Sequence, residues 1–133
     1  MAGADQEEKH VVWYSSHVFA GQKLGRTIGY PTLNLDAHSI PRSTKPGVYT
    51  SQLILEGQEY VGGLYYGPRY VLGETTQVLE VYVLDFDGEV YGKEVQFTID
   101  RFIRPPKDVK TLDELKELLK ADELAVRAGG RVG

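Results

Sequence analysis

QVLEVYVLDFDGEVYGKEVQFTI, residues 77–99, places two runs rich in Val, Tyr, Phe and Ile on either side of Asp87-Gly88. Asp-Gly suits a two-residue hairpin turn, which needs positive φ, so the stretch predicts a hairpin of strands 77–86 and 89–99. Residues 47–55 and 58–66 read as a second hairpin that reverses at Glu56-Gly57. Residues 11–19 mix β-branched and aromatic side chains, and 30–35 form another extended piece fixed by Pro31. Beyond Arg104-Pro105-Pro106 the period changes. Thr111-Leu112-Asp113-Glu114 is a capping box, and Leu112, Leu115, Leu118 and Leu119 share one helical face, predicting an amphipathic helix that ends near Gly129. Five or six closely spaced antiparallel strands plus one terminal helix predict a mainly β protein. A small barrel fits best, since closure removes exposed strand edges and one helix can cover the mouth.

Composition narrows the function classes. The 133 residues suit one domain, expected over 11–128, with residues 1–10 and 129–133 as flexible ends, and a second large catalytic module does not fit. A formal net charge of −4 argues against coating nucleic acid or an anionic membrane, yet allows a local cationic pocket. Cysteine is absent, which removes disulfides, Cys-ligated zinc and a Cys nucleophile. MAGADQEEKH carries acids and lacks the apolar core of a signal peptide, and no run is long enough to span a bilayer. A cytoplasmic monomer acting on small molecules is the expectation. His10, His17 and His38 show no metal-ligand spacing and no Gly-x-Ser-x-Gly element is present, so none of them is assigned a role.

Three features carry candidate chemistry. FAGQKLGRTIGYPTLNL, residues 19–35, sets Gly21, Gly25 and Gly29 four apart with Lys23 and Arg26 between them. Glycine lets backbone amides approach an oxyanion, and the cations match a polyphosphate. By spacing alone a plain surface loop stays open as a reading, because this is neither a Walker A loop nor a Rossmann fingerprint. Thr32 and Asn34 alternate with Leu33 and Leu35, so both polar groups face one side and offer hard oxygens suited to magnesium, although by themselves two such residues more often mark a solvated strand face. Glu80 stands in Val78-Leu79-Glu80-Val81-Tyr82-Val83-Leu84, a strand apolar on both faces. A carboxylate shielded there is paired across the sheet or functional, and desolvation moves it toward the range of a useful general base. Arg101, Arg104, Lys107 and Lys110 form either a cationic rim or a solvated linker.

In order along the chain stand Gly25-Arg26-Thr27-Ile28-Gly29-Tyr30-Pro31-Thr32-Leu33-Asn34-Leu35, Pro46-Gly47-Val48-Tyr49, Leu79-Glu80-Val81, Leu84-Asp85-Phe86, Tyr91-Gly92-Lys93 and Arg104-Pro105 before a Leu-rich helix. This set, over residues 18–125, resembles riboflavin kinase. The resemblance implies a six-stranded Greek-key barrel that transfers the γ-phosphoryl group of ATP to the 5′-hydroxyl of riboflavin, giving FMN and ADP with a divalent metal (magnesium, or else zinc or manganese). It further implies that the loop from Gly21 to Gly29 cradles the phosphates, with Lys23, Gly25 and Arg26 in it, and that Thr32 binds the metal with Asn34 beside it. Glu80 matches the family's catalytic base, and Arg104 matches an arginine of the flavin-side loop that covers the isoalloxazine together with the terminal helix. The chain departs from the family's usual strings at Gly63 to Tyr70, where Asn-Ile-Gly is common, at Tyr82 in place of a histidine, and at Val109 in place of an aromatic. With no His-x-Gly-His signature, the adenylyltransferase activity often fused to such kinases is not expected. Two further classes stay open: a non-catalytic flavin- or nucleotide-binding barrel, and a single-stranded nucleic-acid binder using some of the nine tyrosines, which the charge disfavours.

Overall fold

A computed structural model describes residues 11–20, 32–71 and 74–129. Among the described residues seven strands precede one helix: β1 Tyr14–His17, β2 Leu33–Leu35, β3 Gly47–Leu55, β4 Gln58–Val71, β5 Glu74–Val83, β6 Glu94–Phe97, β7 Phe102–Arg104 and α1 Leu112–Arg127. The sheet runs β1-β6-β3-β4-β5-β2 with every pairing antiparallel, and β7 adds to β3. The outer members of that path meet through a Phe19–Asn34 bridge, in which the Phe19 N–H donates to the Asn34 carbonyl at 2.8 Å, and through the Asp36 N–H, which donates to Ser16 Oγ at 2.9 Å. Six strands therefore form a nearly closed barrel. Within it β3, β4 and β5 are consecutive neighbours and β6 returns to the free side of β3, which is a Greek key.

Strand alternation divides the side chains cleanly. Leu53, Leu55, Leu64, Leu79, Val81, Val95 and Phe97 point inward and are at most 1% exposed. The β3–β4 hairpin turns at Glu56 and Gly57 with φ of 50° and 81°, as the sequence predicts. On its other flank β4 runs on past Tyr66, where β3 ends, and Pro68 is tolerated there because only β5 still pairs with it.

The hairpin expected at Asp87-Gly88 does not form. β5 already has β4 on one edge and β2 on the other, so it has no edge left for β6, which pairs with β3 and β1 instead. Residues 84–93 cross the end of the barrel, helped by positive φ at Asp85, Gly88 and Gly92. On the way Val90 enters the core, and Phe86 packs edge-on against Tyr60 at 5.2 Å between centroids. Turn chemistry is local, whereas the choice of strand partner is set by barrel closure.

β6 and β7 are two halves of one path along β3. At the break, Thr98 Oγ1 accepts from the Gln52 N–H at 2.9 Å and donates to Asp100 Oδ2 at 2.8 Å, while the Arg101 N–H donates to Thr50 Oγ1 at 3.0 Å. Gly47 permits the crossing: its φ is +148°, and a Cβ on it would overlap the Arg104 carbonyl and the Phe102 ring. At α1 the Thr111 hydroxyl accepts from the Glu114 N–H at 3.1 Å, and the Glu114 carboxylate reaches back to the Lys110 N–H at 2.8 Å. The helix docks differently from the leucine pattern. Leu112 is 49% exposed, and the buried residue is Val126, which packs over Gly63 on the outer face of β4. A glycine there lets the helix end approach closely, since an added Cβ would lie 3.2 Å from Val126 Cγ2.

Candidate active site

Alternation along β5 sends Leu79 and Val81 into the core and turns Glu80 to the outer face of the barrel. Glu80 is half-buried, and its Oε2 atom is shielded from solvent. Directly opposite it stand Asn34 on β2 and Tyr65 on β4. Tyr65 in turn faces Val48 on β3, and Val48 faces Arg104 on β7. Residues opposed across a sheet share a face, so Asn34, Glu80, Tyr65, Val48 and Arg104 form one continuous row across the outside of the barrel. At about 4.8 Å per strand, Glu80 and Arg104 stand about 14 Å apart along it.

Asn34 is held by its own backbone, whose carbonyl accepts from Phe19. Thr32 comes two positions earlier, one residue before β2 begins. Gly21, Lys23, Gly25, Arg26 and Gly29 lie outside the described residues. Asn34 is thus brought beside Glu80, with Thr32 two residues before it in the chain. Register across three strands, which neither motif spacing nor composition records, is what joins them.

Arg104 is engaged within the protein. Its Nε and Nη2 donate to the two carboxylate oxygens of Asp122 on α1, both at 2.7 Å, and Nη1 donates to the Pro105 carbonyl at 2.9 Å. Both side chains of the pair are largely buried, at 20% and 13% exposure. The guanidinium fastens the end of β7 to the helix. Asp122 was not singled out by sequence, where it reads as one more acid on a charged helix.

A second fastening lies at the last turn of α1. Arg127 pairs with Asp85, just past β5, and with Glu123 one turn earlier, both at 3.0 Å. The Arg127 hydrogen bond and charge hold the Asp85 carboxyl below the usual aspartate range. Under this helix end Tyr82 shares the face of Glu80, and burial, aided by the Glu123 charge, pushes its phenol above the ordinary value. Tyr65 is fixed by its hydroxyl, which donates to the Pro68 carbonyl at 2.6 Å, with Gly67 leaving room for the ring. Beyond Val126 a groove of about 840 Å³ opens between Trp13, Tyr60, Val61 and Leu84. No helix among the described residues is long and apolar enough to cross a membrane.

Comparison with known proteins is consistent across sequence and fold. Residues 9–129 match the Flavokinase family, described as riboflavin kinase. A bifunctional riboflavin kinase/FMN adenylyltransferase of Escherichia coli (strain K12) is 35% identical over 121 residues, covering 89% of this chain and 38% of that protein. The chain therefore spans little more than a third of that relative's length. Among solved structures, one described as a macrolide-efflux protein from Streptococcus pneumoniae superposes with a TM-score of 0.75 at 30% identity, covering 88% of this chain and 38% of the other. Riboflavin kinase from Trypanosoma brucei superposes with a TM-score of 0.58 at 20% identity over 87% of this chain and 77% of its own, and supports the fold. A family match across nearly the whole barrel and helix, with the Greek key it calls for, means that this chain belongs to the riboflavin kinase family.

Proposed function

We propose that the unit formed by residues 11–128 transfers the γ-phosphoryl group of ATP to the 5′-hydroxyl of riboflavin, yielding FMN and ADP. The observation that carries this reading is the register that sets Glu80 directly opposite Asn34, on the strand that leaves the glycine-rich segment. Phosphoryl transfer asks chiefly for positioning and charge neutralisation, plus one group that orients and deprotonates the nucleophile. Glu80 is that group in this reading. It accepts the proton of the ribityl hydroxyl as the oxygen forms its bond to phosphorus, and the bond from phosphorus to the ADP oxygen breaks. The amides of residues 21–29, with Lys23 and Arg26, take the phosphate charge.

A divalent ion fits the residues present. Asn34 offers an amide oxygen opposite Glu80 and Thr32, two residues earlier, a hydroxyl, the sparse hard donor set that magnesium accepts when phosphate oxygens and waters complete its shell. Among the described residues no group of three or more His, Cys, Asp or Glu could hold a metal by itself. When bound, the ion neutralises charge on the transferring group. The acceptor lies along the outer-face row, whose span of about 14 Å from Glu80 to Arg104 is comparable to an extended five-carbon chain joined to a tricyclic ring.

The test is direct. The protein is incubated with riboflavin, ATP and magnesium, and the flavins are separated by chromatography; FMN should accumulate with time and enzyme concentration. Absence of FMN at high enzyme concentration, also with CTP or GTP and with zinc or manganese, refutes the proposal.

A further inference from the structure

We infer that Asp122 is a positioning residue for the acceptor side of the site, acting through Arg104; the inference rests on the riboflavin kinase reading above. Arg104 has five N–H donors, and three are engaged within the protein: Nε and Nη2 on Asp122, and Nη1 on the Pro105 carbonyl. The bidentate fork fixes the plane of the guanidinium, and through Nη1 it fixes the first carbonyl of the linker that runs from Pro105 to Lys110. Arg104 also ends the outer-face row that starts at Asn34 and Glu80. One carboxylate thus holds three things in register: the end of that row, the entry to the linker and the body of α1.

The remainder of the helix makes this pair decisive. Along α1 the described attachments to the barrel are Asp122 on Arg104, Val126 over Gly63, and Arg127 on Asp85, all in its C-terminal half. Leu112 is 49% exposed, and Leu115, Leu118 and Leu119 are only half-buried. Of these three attachments, the Arg104–Asp122 fork lies nearest in sequence to the first two turns, and through the Pro105 carbonyl it is also tied to the linker before them. Removing its charge frees the guanidinium and lets the linker and the leucine face drift relative to the row, while the phosphate side, built on β2 and β5, is untouched.

The experiment compares Asp122→Asn, Asp122→Glu and Arg104→Lys with the wild type. Riboflavin affinity is read by quenching of flavin fluorescence, KM for riboflavin and for ATP by steady-state kinetics, and folding by thermal melting. Asp122→Asn should weaken riboflavin binding and raise its KM roughly 10- to 100-fold, with the KM for ATP near the wild-type value. Arg104→Lys, which cannot make the fork, should show the same selective defect, and Asp122→Glu should recover most of the loss. Wild-type riboflavin affinity in Asp122→Asn, or equal weakening of riboflavin and ATP, overturns the inference. If Asp122→Asn does not fold, the selective defect in Arg104→Lys together with retained affinity in Asp122→Glu decides it in the same way. A wild-type chain that binds riboflavin but makes no FMN defeats the kinase reading while the binding measurements still judge Asp122; one that does not bind riboflavin defeats both.

Discussion

Gly47→Ala tests whether β7 is held against β3 as closely as described. The residue has φ of +148°, and an added Cβ overlaps the Arg104 carbonyl and comes within 2.5 Å of Phe102 Cε1. Holding a non-glycine residue in that region costs about 1–3 kcal/mol. A backbone carbonyl cannot rotate aside, so β7 has to move. That motion disturbs the edge-on Tyr49–Phe102 contact at 5.3 Å and the Lys45 ammonium 4.3 Å above the Phe102 ring. Those two interactions are worth about 0.5–1.5 and about 0.5–1 kcal/mol, for a combined cost with the backbone strain of about 2–5.5 kcal/mol. In a domain of this size 1 kcal/mol moves the thermal midpoint by about 3–5 °C, so the variant should melt on the order of 10–20 °C lower. Gly57→Ala is the control: its φ is +81°, but nothing lies within 4 Å of the added atom. It should cost about 1–2 kcal/mol, from backbone conformation alone. Melts followed by circular dichroism separate the two. Midpoints for Gly47→Ala and Gly57→Ala that agree within about 3 °C refute the close approach of β7.

Three further outcomes are expected. Glu80→Gln preserves shape and removes the base; turnover should fall about 10²- to 10⁴-fold while fluorescence titration still reports riboflavin binding, and undiminished turnover would dismiss Glu80 from that role. Phe97→Ala empties a fully buried site packed at 5.7 Å against Tyr14, and urea unfolding should register a loss of about 3–5 kcal/mol; a loss below about 1 kcal/mol would contradict the core assignment. Asp85 titrates lower in the folded state than in the unfolded chain because of Arg127, so its contribution is present above the ordinary aspartate range and disappears as pH falls through the depressed folded value. The stability gap between wild type and Asp85→Asn should accordingly shrink on acidification in denaturant titrations at stepped pH, and a gap that widens toward low pH would reverse the assignment.

What could be read in advance divides along a physical line. The Glu56-Gly57 turn, the Thr111 cap and the inward alternation of Leu79 and Val81 are local, and each formed as its own residues demand. The Asp87-Gly88 signal was equally local, yet β6 went to another neighbour because both edges of β5 were occupied. The arrangement of Asn34, Glu80 and Tyr65 shows the converse. Each residue type could be flagged in isolation, but their shared row exists only through the registers of β2, β4 and β5. The charge of Arg104 is legible in the sequence, but no pattern along one dimension announces which acid, 18 residues away, meets it.

The Phe19–Asn34 bridge has a consequence for how such a protein can diversify. Chain entering and leaving residues 20–33 is stapled at one point by a backbone hydrogen bond, with Ser16 and Asp36 tied just behind it. A segment whose two feet are anchored together can be lengthened or shortened without moving the wall it springs from, and doubling its length adds only about 0.6 kcal/mol of closure entropy. Under the proposed function, grafting the corresponding stretch from a relative should exchange nucleotide preference, read from FMN formation with ATP, CTP and GTP, and leave the melting midpoint as it was.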